Sequence, residues 1–128
     1  MPKAMVVDDS RAIRLILSKT LGSLGFDVSQ AANGREALSK MSELASDEDL
    51  PLSLVLVDWN MPEMNGLEFV QQVRANPDYG AVKLMMVTTE TQIEQMTRAL
   101  EAGADEYVMK PFTEEVISDK LRLMGVFD

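Results

Sequence analysis

The sequence predicts an α/β domain built as a doubly wound parallel sheet of five strands, with helices on both faces. Three observations predict it. A short apolar run followed by a segment with helical spacing of apolar residues recurs five times along the chain. The middle run, Leu52 to Val57, is almost continuously apolar, as in a strand covered on both faces. The chain has 128 residues and no cysteine, so it reads as one domain, 1–128, that needs no covalent staple.

The first strand is expected at Ala4 to Val7, and a helix from about Arg11 with Ser10 as its N-cap. Ile13, Ile16, Leu17, Leu21 and Leu24 keep helical spacing, and Gly25 can end the helix. The second strand is expected at Phe26 to Ser29. Its helix follows Asn33-Gly34 and carries Ala37, Leu38, Met41 and Leu44, before an acidic turn at Ser46 to Asp49. After the third strand, a loop with Pro62 and Gly66 leads to a helix carrying Leu67, Val70 and Val73. The fourth strand is expected at Val82 to Val87, followed by a helix with Ile93, Met96 and Leu100 that stops near Gly103. The fifth strand is expected at Glu106 to Met109, and the last helix starts near Thr113 with Val116, Ile117, Leu121 and Met124. Met85, Met86 and Met96 occupy core-like positions and read as packing residues. Right-handed crossovers restrict the topology, and the expected strand order is 2-1-3-4-5. That order comes from the known pattern of doubly wound sheets and not from the residues.

Composition removes several classes of function. Acids outnumber bases 21 to 12, for a net charge of −9, which argues against a nucleic-acid surface or an anionic membrane as partner. With no cysteine and no histidine, the chain holds no thiolate nucleophile, no Cys- or His-based metal site and no phosphohistidine of its own. The short apolar stretch before Asp8 is not a signal peptide, and no apolar run approaches the ~20 residues of a membrane span. A cytoplasmic protein is expected.

Open α/β sheets bind ligands beyond the carboxyl ends of their strands, near the point where strand order reverses. Polar residues collect at those ends. Strand 1 runs into Asp8-Asp9, strand 3 into Asp58, strand 4 into Thr88-Thr89, and strand 5 into Lys110-Pro111. Taken singly, each has an ordinary explanation: a helix-initiating turn, loop chemistry or surface charge. Four strands aiming such residues at one place by accident is a far poorer account. Carboxylates so close repel one another and require a cation, and an all-oxygen donor set suits Mg²⁺ or Mn²⁺. A carboxylate there can attack phosphorus and become an acyl phosphate, while a lysine neutralises the phosphoryl oxygens.

Four motifs carry a close resemblance to the response-regulator receiver family over essentially the whole chain. They are VVDDS at Val6 to Ser10, DWNMPEMNG at Asp58 to Gly66, VTTE at Val87 to Glu90, and YVMKPF at Tyr107 to Phe112. The resemblance implies a flavodoxin-like (βα)5 fold and a switch phosphorylated by a histidine kinase. It implies Asp58 as phosphoacceptor, with Asp8, Asp9, Asp58 and the Asn60 backbone carbonyl as metal ligands. Lys110 would contact the phosphoryl group, Thr88 would be the switch hydroxyl, and Tyr107 the switch aromatic. Asn60 and Glu90 would flank the path of the attacking water and tune the lifetime of the acyl phosphate. A cis peptide is implied at Lys110-Pro111. Glu106 departs from the pattern, standing where the family often has a small residue, and the segment before strand 3 is slightly long. Trp59 is expected to be exposed beside the site.

The leading functional expectation is a stand-alone, monomeric signalling switch of the chemotaxis or motility type. It would signal through helix 4, strand 5 and helix 5, because Asp128 follows the last helix so closely that no output domain is expected. It is not expected to be a conventional enzyme, although it would catalyse its own phosphorylation and dephosphorylation. One alternative is a phosphorelay intermediate that passes the group to a histidine phosphotransfer protein, using the same residues. A haloacid-dehalogenase-type phosphatase would need a second acid two residues after the nucleophile, and Asp58-Trp59-Asn60 lacks it.

Overall fold

A computed structural model describes residues 2–44, 52–59, 61, 64–88 and 93–126. The strands are β1 (Lys3–Val7), β2 (Asp27–Ala31), β3 (Leu52–Asp58), β4 (Lys83–Thr88) and β5 (Glu106–Met109). The helices are α1 (Arg11–Ser23), α2 (Gly34–Leu44), α3 (Gly66–Ala75), α4 (Ile93–Ala102) and α5 (Glu114–Leu123), with a short 3₁₀ turn at Pro77–Tyr79. All strand pairs are parallel, in the order β2-β1-β3-β4-β5. The doubly wound architecture and its expected order are therefore present. The acidic segment expected to turn at Ser46 to Asp49 lies outside the described residues.

Alternation along the strands divides the interior into two cores. Met5, Val7, Val55, Val57, Leu84 and Met86 face one way and meet Ala37 and Met41 of α2, Phe69, Val70 and Val73 of α3, and Ala99 of α4. Ala4, Val6, Leu54, Leu56, Met85, Val87 and Val108 face the other way, against Leu17 and Leu21 of α1 and Ile117 and Leu121 of α5. The central strand β3 is sealed on both sides, with Leu54 through Val57 fully buried.

The apolar stripes of the helices are wider than the faces they bury. Ile16, Leu100 and Val116 are exposed, at 51%, 42% and 39%. Each is the sequence neighbour of a buried residue: Leu17, Ala99 and Ile117 respectively. A helix turns about 100° per residue, so only one of two adjacent apolar residues can face the sheet. Met96 is half-buried where a core position was expected, whereas Met85 and Met86 are buried.

The second strand starts one residue later than expected and runs further. Phe26 still belongs to the end of α1, because its N–H donates to Leu21 O at 3.1 Å and the Gly25 N–H donates to Gly22 O at 3.1 Å. This is a Schellman closure, with Gly25 at φ 99° and Phe26 packed into the same core as Leu21. No helix among the described residues is long and apolar enough to cross a membrane.

Candidate functional site: an acidic cluster at the carboxyl ends of the strands

β1 delivers Asp8. Its N–H donates to Ala31 O at 3.1 Å, which continues the β1–β2 ladder past the end of the strand. Its side chain then turns back, with Oδ1 accepting the Ser10 N–H at 2.8 Å. Ser10 in turn caps α1, its Oγ accepting the Ile13 N–H at 3.3 Å. The Arg14 guanidinium donates to Asp8 O at 2.6 Å. One aspartate thus ends a strand, fixes the turn and orients the following helix.

Asp58 is the last residue of β3 and is 5% exposed. Its surroundings depend on Gly66. A Cβ on Gly66 would lie 2.6 Å from Asp58 O, 2.6 Å from Met86 Cε and 2.9 Å from Trp59 Cα, all too close. Without one, the Gly66 N–H reaches Trp59 O at 2.8 Å and the start of α3 is held against the strand end. Trp59 is half-buried here, packed on the core under α2, α3 and α4, where exposure was expected. Asn65 caps α3, accepting the Glu68 N–H at 2.9 Å.

Carboxylate oxygens of Asp8, Asp9 and Asp58 all lie within 4.8 Å of one another, with Asp8 and Asp58 buried and Asp9 exposed. Lys110 faces this cluster from the end of β5. Its ammonium lies 3.3 Å from Asp8 Oδ2 and 3.5 Å from Asp58 Oδ1. Lys110 is anchored by its own N–H, which donates to Thr88 O at 2.8 Å, and the Lys110–Pro111 peptide is cis. One ammonium against three carboxylates leaves an excess of negative charge in a largely buried place. The donor set is all oxygen and hard, with one acid open to solvent, which fits Mg²⁺ or Mn²⁺ with retained waters.

Thr88 ends β4 and is 2% exposed. Met86 pairs in register with Tyr107, so by alternation Thr88 and Tyr107 lie on the same face of the sheet as diagonal neighbours. Tyr107 is half-buried against the core under α2, α3 and α4. Asn60 and Glu90, expected beside the site, lie outside the described residues. Two contributors escaped the sequence reading. Arg14 gives no local sign of reaching back to Asp8 O. Gly66 was read as loop punctuation, although its place eight residues after a strand-end acid could have marked a close approach.

The fold and the cluster together describe a receiver, and comparison with known proteins agrees. The response regulator receiver domain model matches residues 4–122, and the chain belongs to that family. It is 41% identical over 123 residues to the chemotaxis protein CheY1 of Helicobacter pylori, covering 95% of each chain. It is 44% identical over 120 residues to a chemotaxis protein CheY homolog of Campylobacter jejuni, covering 93% of this chain and 88% of the relative. Among solved structures, chemotaxis response regulator CheY4 of Vibrio cholerae superposes with a TM-score of 0.86 at 37% identity, over 97% of this chain and 98% of that one. The chain is thus a CheY-like response-regulator receiver, a class of signalling proteins whose acidic pocket binds Mg²⁺.

Proposed function

We propose that this receiver is a phosphorylation switch of the chemotaxis type, with Asp58 as the acceptor. The observation that carries the reading is the Lys110 ammonium bridging Asp8 and Asp58 at 3.3 and 3.5 Å, at the end of a strand buried on both faces. An Asp58 oxygen attacks the phosphorus of a phosphohistidine on a partner kinase. A P–O bond forms, the P–N bond breaks, and the departing imidazole takes a proton from solvent. Lys110 meets charge on the phosphoryl oxygens as they arrive, and it is already in place, so little reorganisation is required. Asp8 holds Lys110 from the other side and keeps its own orientation through the Ser10 N–H. Asp8, Asp9 and Asp58, with the Asn60 carbonyl, would hold Mg²⁺, which would supply the further positive charge that an acidic pocket needs to accept an anion.

Thr88 and Tyr107 form the readout, since they share a sheet face as diagonal neighbours and Thr88 lies at the end of the strand next to that of the acceptor. A phosphoryl oxygen draws the Thr88 hydroxyl, and the Tyr107 ring moves into the altered space. The signal leaves through the surface of α4, β5 and α5. Asn60 and Glu90 set how long the acyl phosphate lasts. The chemotaxis assignment is carried over from relatives named as chemotaxis proteins. The test is acid-labile, base-sensitive labelling from acetyl phosphate in Mg²⁺. The native chain labels and Asp58→Asn does not; full labelling of the variant sinks the assignment.

A further inference from the structure

Glu106 has no part in the chemistry above, yet it is tied to the residue proposed to carry the signal. Its Oε1 accepts the backbone N–H of Tyr107 at 3.0 Å. The same oxygen lies 3.3 Å from the Lys120 ammonium, which comes from the last turn of α5. That ammonium also sits 5.0 Å from the centroid of the Tyr107 ring. One carboxylate oxygen therefore organises both the backbone and the face of a single aromatic residue. The Lys120 and Glu106 side chains are 29% and 20% exposed, so the group is partly withdrawn from water and screened less than a surface pair.

We propose that Glu106 and Lys120 form a latch that holds the Tyr107 ring in its present orientation and sets how readily the ring turns without a phosphoryl group. The cation on the ring face favours this orientation over any that removes the ring from Lys120. The carboxylate keeps the ammonium there, against the pull of solvent on a long, flexible stem. A ring that turns must give up the cation contact. Lys120 loses nothing else by staying, because Glu106 still holds it, so the latch remains set for the ring's return. The latch rests on the reading of Tyr107 as a switch, and it adds a resting bias built from residues outside the acidic cluster.

The chain has two tyrosines, Tyr79 and Tyr107, so 3-fluorotyrosine labelling gives two ¹⁹F resonances, assigned with Tyr79→Phe. In phosphate-free buffer, Lys120→Met and Glu106→Gln should move the Tyr107 resonance, reporting roughly a two- to fivefold gain in the turned orientation. Lys120→Met keeps the length of the stem, and Glu106→Gln keeps an acceptor for the Tyr107 N–H. Lys120→Arg should stay near the native position, because it keeps a cation on the ring. A Tyr107 resonance that does not move in either of the first two variants overturns the latch. So does one that moves as far in Lys120→Arg as in Lys120→Met. A separate arm adds beryllofluoride and Mg²⁺ to the native chain. A Tyr107 resonance unchanged there defeats the switch reading, whereas the latch is judged on the variants alone.

Discussion

At the amino ends of β4 and β5, one cation meets one carboxylate and the surrounding carbonyls complete the set. Arg74, in the last turn of α3, donates to Gly103 O at 2.9 Å, Tyr79 O at 3.0 Å, Val82 O at 2.8 Å and Asp105 Oδ2 at 2.9 Å. Asp105 Oδ2 also takes the Leu84 N–H at 2.8 Å. At the carboxyl ends of β1 and β3, one ammonium faces three carboxylates. Each group combines withdrawn side chains with one acid open to solvent, Asp105 in the first and Asp9 in the second, and both draw on elements far apart in the chain. The first is neutral and joins a helix, a 3₁₀ turn and two strands. In the second, the three carboxylates outnumber the ammonium that faces them, which favours the binding of an added cation. The same kinds of side chain therefore stabilise at one end of the sheet and wait for a ligand at the other.

The largest expected effect breaks the balanced end. Arg74→Met leaves Asp105 and three carbonyls without their donor and should destabilise the fold by about 2–3 kcal/mol. Urea unfolding measures this; a midpoint within error of the native one would mean that the cluster is ornamental. The next effect sharpens the unbalanced end. Mg²⁺ at about 10–30 times its dissociation constant should raise stability by about 1.4–2 kcal/mol through preferential binding to the folded state. Asp9→Asn should lose most of that gain. In EDTA the same variant should be no less stable than the native chain, because a repelling charge has gone. A native melting temperature indifferent to saturating Mg²⁺ would remove the basis for the contrast.

The smallest effect comes from an acid near the same edge that is fully partnered. Glu36, in the first turn of α2, has its carboxyl held below the usual value, chiefly by the Ala32 N–H that donates to Oε2 at 3.1 Å and secondarily by Lys40. Because its folded pKa is the lower one, its contribution is complete above the unfolded carboxylate pKa. It is lost as pH falls through the folded value. Glu36→Gln should therefore flatten a small part of the acid-side decline in stability and leave neutral pH nearly unchanged. Denaturant titrations across the carboxylate range check this, and an unaltered acid limb would refute it.

Much of this was legible in the chain. The Leu52 to Val57 run marked a strand buried on both faces, and the strand-end polar residues marked the cluster, because both signals are local and periodic. The Arg74 cluster was not legible. Nothing near Arg74 in sequence distinguishes it from an exposed basic residue in a last helical turn, and its partners lie up to 31 residues away. The exposure of Ile16, Leu100 and Val116 was hidden for a related reason. Apolar spacing gives the width of a stripe, and only the packed neighbour decides which edge of it is covered. Trp59 was misjudged because its indole packs on a core built from α2, α3 and α4, contacts that its place in a loop after a strand does not announce. Glu106 was visible only as a departure from a family pattern, without its partners.

The placement of β3 has a consequence for how the molecule breathes. Its amides lie between β1 and β4 and beneath two cores, so they should exchange with solvent only when the whole domain opens. β5 has four residues and one neighbour, β4, and its amides can exchange through small local openings. Asp58 stands at the tip of a strand buried on both faces, and Tyr107 sits in a strand at the edge of the sheet. On the proposed reading, an event at the tip of a deeply buried strand would be read out in an edge strand, where a modest change in local free energy suffices to alter shape.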